Sequence, residues 1–163
     1  MKAIVCTKYG PPEVLQLQEV EKPAPRNNEV CIQIFATAVT ASDCIVRGFK
    51  VATRRWILAR LLLGLTKPRK PILGLVLAGE IETAGKDVKR FQTGERVYAF
   101  TKFRFGAYAE YTCLPEDSVM ALMPSNLNYE EAAAVPFGGL LALHFLRKCR
   151  ANRPPKGTAA ASS

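Results

Sequence analysis

Few side chains in this sequence can do chemistry, and their types narrow what it can be. His144 is the only histidine, so no histidine-based metal cluster can be assembled and a His-dependent triad would have to use it. Beside Leu140, Leu141 and Phe145 in a helical stretch, it reads as a packed or half-exposed side chain before a catalyst. The five cysteines, Cys6, Cys31, Cys44, Cys113 and Cys149, show no C-x-x-C spacing. That scatter points to reduced thiols in a cytosolic setting, without a disulfide frame or structural zinc. Cys44 adjoins Asp43, whose charge disfavours a thiolate, so no nucleophilic role is expected of it. Thr40 and Ser42 stand where a helix should begin, and either hydroxyl would cap it. Asp43 and Arg47 lie one helical turn apart, a spacing that favours an ion pair. Phe100, Phe103, Phe105 and Tyr108 fall at strand spacing; they would wall an aromatic acceptor pocket or, as such residues do first, fill the core.

The elements that must position these residues are mostly strands. Residues 71–100 hold two apolar runs separated by glycine turns. Leu73, Leu75, Leu77, Ile81 and Thr83 carry the first run, which stops at Ala84-Gly85-Lys86-Asp87, where Gly85 can take a positive φ. After Thr93-Gly94-Glu95, Arg96-Val97-Tyr98-Ala99-Phe100 resumes the β pattern. Upstream, strands are predicted at about 2–7 and through Val14, Leu15 and Leu17, then a loop at Lys22-Pro23-Ala24-Pro25-Arg26, where two prolines remove ladder donors. Residues 29–39 are the best strand, with Val30, Ile32, Ile34, Ala36 and Ala38 alternating against Cys31, Gln33 and Phe35. Short helices are predicted over 41–46 and 55–63, and further strands near 107–114 and 119–122. The fold class is therefore mainly β with short helices, an α+β arrangement over residues 1–123. From Pro124 the pattern changes. Asn128 caps an alanine-rich helix with acids in its first turn, Pro136 ends it, and residues 139–148 form a second helix. Residues 149–163 hold no apolar strand and no G-x-G-x-x-G, and read as a disordered tail.

With 163 residues, nearly half of them apolar, the chain can bury a sizeable core as one domain plus a fragment. The formal charge is +9, and its distribution is uneven. No Asp or Glu occurs between Asp43 and Glu80, while Arg47, Lys50, Arg54, Arg55, Arg60, Lys67, Arg69 and Lys70 all fall there. With Trp56, Leu58, Leu61 and Leu62 as an apolar side, that block suits either a solvated basic lid over a pocket or a segment for an acidic membrane surface. Nucleic acid is not expected, since few aromatics interleave with the charges. The start lacks a secretion signal, and the apolar run 56–65 is too short to span a bilayer.

The phrases L-A-G-E-I, A-G-K-D-V-x-x-F and G-E-R-V-Y-A-F, in that order and spacing, resemble the N-terminal half of the medium-chain dehydrogenase/reductase superfamily, which includes the alcohol dehydrogenases. They are most similar to its zinc-free, quinone-oxidoreductase-like branch. Asn28-Glu29-Val30, Ser42-Asp43, Gly106-Ala107-Tyr108-Ala109-Glu110-Tyr111 and Ala132-Ala133-Ala134-Val135-Pro136 extend the likeness from Met1 to about Lys148. The resemblance implies a GroES-like partly open β barrel over 1–123, and helices over 124–148 that lead into a Rossmann domain. It implies hydride transfer from NADPH or NADH to a small electron acceptor, a quinone or an enone, in the cytoplasm. The Rossmann pyrophosphate cradle has no counterpart in this sequence. Reading the codons of residues 155–160 one base later permits Gln-Lys-Val-Leu-Leu, similar to the family's first Rossmann strand, so a frameshifted, truncated or naturally short product is expected. It should be inert by itself and hold no dinucleotide tightly.

The family's zinc-dependent members carry a Cys at the place of Thr40 and Gly-His-Glu at the place of Gly74-Leu75-Val76, so no zinc is expected here. In the zinc-free branch an Asn often stands at Thr40 and touches the nicotinamide ribose or the acceptor. By that likeness Thr40, Ala41 and Ser42 are cofactor-side candidates, with helix capping the competing role for the two hydroxyls. Leu141 occupies the place of a Thr near the nicotinamide, where the polar contact is lost. Phe100 and Phe103 are the candidates for the acceptor pocket. A different class of function stays open, a non-enzymatic β module binding a partner, a second copy or an acidic membrane through exposed Leu140, Leu143 and Phe145.

Overall fold

The computed structural model describes residues 1–49, 64 and 67–151. The helix expected over 55–63, the Trp56-centred apolar side of the basic block and the tail from 152 onward lie outside the described residues.

Among the described residues seven strands carry the architecture: β1 (Lys2–Cys6), β2 (Leu15–Glu19), β3 (Glu29–Thr37), β4 (Val76–Ala84), β5 (Arg96–Phe100), β6 (Tyr111–Pro115) and β7 (Val119–Leu122). β1 and β2 form an antiparallel hairpin, and the other five form one antiparallel sheet in the order β6-β3-β4-β5-β7. The hairpin is tied to the larger sheet by bridges Ala3–Ala109 and Val5–Ile72. Ile4 N–H donates to the Tyr108 carbonyl at 2.8 Å, and Cys6 N–H to the Pro71 carbonyl at 2.7 Å. These links curl the sheet into the half-barrel of a mainly β domain.

The interior is filled by alternate residues of the central strands. Val30, Ile32, Leu77, Ile81, Val97 and Leu114 pack as one buried cluster. A second cluster of Cys6, Val14, Leu73, Leu75, Val76 and Tyr108 lies beneath the β1–β2 side. Three sequence expectations shift. Leu73 and Leu75 precede β4 instead of opening it, yet both are buried. On β3, Val30, Cys31 and Ile32 are all buried, so both faces are covered at its start; register irregularities at Cys31/Ile32 and Ile34/Ala36 interrupt the alternation. Of the two turn glycines, Gly94 in the second turn takes a positive φ, +88°, and Gly85 in the first does not. Gly85 is needed for proximity, since a Cβ there would sit 2.2 Å from the Arg26 carbonyl oxygen.

α1 (Ala41–Gly48) follows β3, and α2 (Tyr129–Ala134) and α3 (Leu140–Ala151) close the described chain. Asn128 caps α2 as the sequence predicts, accepting from Glu131 N–H at 2.7 Å while the Glu131 carboxylate accepts from Asn128 N–H at 3.0 Å. Pro136 ends the α-helical ladder without breaking the coil: a π turn, Val135–Gly139, joins α2 to α3. Proline supplies no N–H for the bond to the residue four back, and one wider turn absorbs the defect.

Candidate functional site

The N-terminus of α1 carries the candidate residues Thr40, Ala41 and Ser42, and its geometry is a closed cap. Thr40 has extended backbone angles and sits at the N-cap. Its backbone N–H donates to Asp43 Oδ2 at 2.8 Å, and its hydroxyl donates to the same oxygen at 2.6 Å. Asp43 N–H returns a longer bond of 3.4 Å to Thr40 Oγ1. Of the two candidate caps, Thr40 and Ser42, the structure uses Thr40. Ser42 lies half-buried in the first turn, and Ala41 is exposed.

Asp43 does not pair with Arg47. Its side chain is 3 % exposed, its Oδ2 is spent on Thr40, and Oδ1 has no hydrogen-bond partner; nor has buried Arg47 Nε. The capping box won because it satisfies two donors of the helix start at short range, and the ion pair would have satisfied one. The Tyr108 hydroxyl is the third buried, unpartnered atom of this neighbourhood. Burial, and then the nearby Asp43 charge, push its ionisation well above the ordinary phenol value, with Arg47 pulling the other way. The phenol therefore stays protonated beside the carboxylate without a well-formed bond to it.

Gly74 makes room for that ring. It adopts φ +96°, and a Cβ there would lie 2.7 Å from Tyr108 Cδ1 and 2.8 Å from Tyr108 N. Tyr108 is a core side chain, the first of the two roles the sequence offered it; its place beside Asp43 was not anticipated. The available signal was the pairing of Gly74 with the small residues Gly106-Ala107 ahead of the tyrosine.

The remaining candidates separate. Phe100 is half-buried, and its ring meets Phe137 of the π turn at 6.2 Å; Phe137 was not anticipated. Phe103 is 85 % exposed, on a short 3-10 turn, Lys102–Arg104, and joins none of the buried clusters of the described residues. Phe105 is buried in the same cluster as Tyr108. Leu141 is 47 % exposed on α3, where His144 is exposed too and its ring meets that of Phe145 at 5.8 Å. Where a catalytic zinc would need its donors, Thr40 offers a hydroxyl already bound to Asp43 and Leu75 is a core side chain. Among the described residues no group of three or more His, Cys, Asp or Glu can hold a metal ion, and this donor set does not fit zinc. No described helix is long and apolar enough to cross a membrane.

A curled antiparallel half-barrel with a capped helix after its central strand is the arrangement of the GroES-like domain. The chain belongs to the alcohol dehydrogenase GroES-like domain family, whose model matches residues 26–125, within the medium-chain dehydrogenase/reductase superfamily. It is 33% identical over 140 residues to the quinone oxidoreductase of Sus scrofa, a match that covers 83% of this chain and 37% of that protein. Among solved structures, the quinone oxidoreductase of Coxiella burnetii superposes with a TM-score of 0.78 at 29% identity, over 92% of this chain and 45% of that one. The Escherichia coli quinone oxidoreductase, solved in complex with NADPH, gives 0.75 at 28% identity, over 91% and 41%. The chain thus spans less than half the length of these relatives.

Proposed function

We propose that this chain is the acceptor-presenting β part of an NAD(P)H-dependent oxidoreductase of the quinone or enone reductase type that works without zinc. The observation that carries the reading is the half-barrel's superposition on a quinone oxidoreductase solved with NADPH, together with a site whose zinc positions hold Thr40 and Leu75. When bound, the nicotinamide supplies the hydride, and the protein's share is position and polarity. Thr40 has its one hydroxyl proton committed to Asp43, so toward a ribose or an acceptor it would offer only a lone pair. Ala41 and Ser42 would present the first turn of α1, Phe100 and Phe137, whose rings meet, would flank the acceptor, and Leu141 would add an apolar contact. Phe103, being exposed, would serve only if a further surface covered it.

No glycine-rich βα unit stands in this sequence, so nucleotide affinity by the chain alone should be weak and turnover absent. Fluorescence titration with NADPH and NADH is the test: no saturation at cofactor concentrations that fill a full-length relative is expected, and tight saturable binding would overturn the reading. A second reading, a non-enzymatic module that binds a partner or a second copy, is favoured by the exposure of Leu140, Leu143 and Phe145 on α3. Sedimentation of the chain with and without Leu143→Asp decides whether that face self-associates.

A further inference from the structure

Cys31 on β3 and Cys113 on β6 stand directly opposite each other in the antiparallel register. The kind of pair they form follows from the ladder. Ile34 N–H donates to the Glu110 carbonyl at 2.8 Å, one step beyond the Gln33–Tyr111 pair. Hydrogen-bonded and non-hydrogen-bonded pairs alternate, so Val30, Ile32 and Ile34 mark the bonded positions and Cys31–Cys113 falls on a non-bonded one. Pro115 opposite Glu29 agrees, because proline has no N–H to give to a bonded pair. Non-bonded partners have Cα atoms about 4.5 Å apart with side chains on the same face, within the separation of about 4.4–6.8 Å that a disulfide spans.

The side chains already converge. Cys31 Sγ and Cys113 Sγ approach the same acceptor, the Pro23 carbonyl oxygen, at 3.8 Å and 3.6 Å. Both are free thiols, Cys31 buried and Cys113 half-buried. Cys113 lines an open cleft of about 460 Å³, with Pro23 and Tyr111 also on its wall, and the buried Cys31 does not line it.

We propose that Cys31 and Cys113 are a disulfide-forming pair that closes by exchange with a low-molecular-weight disulfide entering from this cleft. The Cys113 sulfur attacks the small disulfide, breaks its S–S bond and releases one thiol. The Cys31 sulfur then attacks Cys113 in the mixed disulfide and releases the second thiol. The protein pair loses two electrons and two protons, and both end on the released thiols. The bond fastens β6, an edge strand, to β3. The charges around the sulfurs set the speed. Burial raises both thiols, Cys113 to about 12; Cys31 and then Glu29 oppose ionisation of Cys113 further, Glu82 opposes that of Cys31 while its hydrogen bond with Cys113 eases it, and Lys22 favours both. Closure is therefore slow near neutrality and quickens in alkali.

The test uses the full chain carrying Cys44→Ser and Cys149→Ser, which removes the two exposed thiols, exposed to oxidised glutathione at mildly alkaline pH. Intact mass should fall by two hydrogens, with a Cys31–Cys113 linked peptide in a non-reducing digest. With Cys31→Ala the exchange should stop at a stable glutathione adduct on Cys113, and with Cys113→Ala no adduct should form on Cys31. A lasting adduct on Cys113 while Cys31 stays alkylatable in the intact pair would overturn the proposal, as would a bridge that uses Cys6.

Discussion

Replacing Gly74 with alanine should unfold this domain far more readily than replacing Gly94, although both take positive φ, +96° and +88°. The comparison separates two costs. An alanine held at positive φ loses about 1–2 kcal/mol, and at Gly94 that is the whole penalty, because a Cβ there meets nothing within 4 Å. At Gly74 the same Cβ would meet Tyr108 Cδ1 at 2.7 Å, Tyr108 N at 2.8 Å and Ala107 Cβ at 2.9 Å. The ring can swing away, but the backbone nitrogen cannot without moving the strand link that Tyr108 makes to β1 through Ile4. Overpacking of this kind adds about 1–3 kcal/mol, so Gly74→Ala should cost about 2–5 kcal/mol. Urea unfolding followed by circular dichroism gives both values on one scale. The thermal midpoint should fall by roughly 3 °C per kcal/mol for a domain of this size. Equal losses for the two variants would refute the claim that Gly74 is required by its contact with Tyr108.

Thr40→Ala should lose about 1 kcal/mol of stability by removing the cap of α1. Asp43→Ala should lose more, because it strips both the Thr40 N–H and its hydroxyl of their acceptor; chemical denaturation ranks the pair, and the reverse order would contradict the cap. Phe137→Ala should cost about 1–3 kcal/mol through lost burial and the ring contact with Phe100, read in the same unfolding assay. Cys113 shifts from an ordinary thiol value of 9.0 to about 12 in the folded state, so between those values the unfolded chain sheds a proton that the folded chain keeps. Its contribution to stability is whole below pH 9.0 and falls as pH rises toward about 12. Replacing Cys113 with alanine should flatten that alkaline limb of a stability-against-pH curve.

Much of the fold was legible in the sequence because strand signals are local. The alternation of Arg96-Val97-Tyr98-Ala99-Phe100 and the turn residues Thr93-Gly94-Glu95 needed no partner to be read, and Asn128 with Glu131 spelled out a helix start. Pro136 was read as a stop and became a π turn, since the missing donor is local but its accommodation depends on how that turn packs against Phe100 through Phe137. The site was less legible. Asp43 and Arg47 at helical spacing suggested an ion pair, and the closer Thr40 donors took the carboxylate instead.

What the sequence determined by itself is most of the strands, the cap at Asn128 and a helix start at 40–42, because each depends on residue types a few positions apart. Tertiary structure alone decided that Tyr108 lies over Asp43 in the space Gly74 leaves, that Phe103 faces outward while Phe100 meets Phe137, and that Cys31 faces Cys113. Those meetings join residues far apart in the chain, and strand order and register, which no local pattern encodes, choose which of them come together.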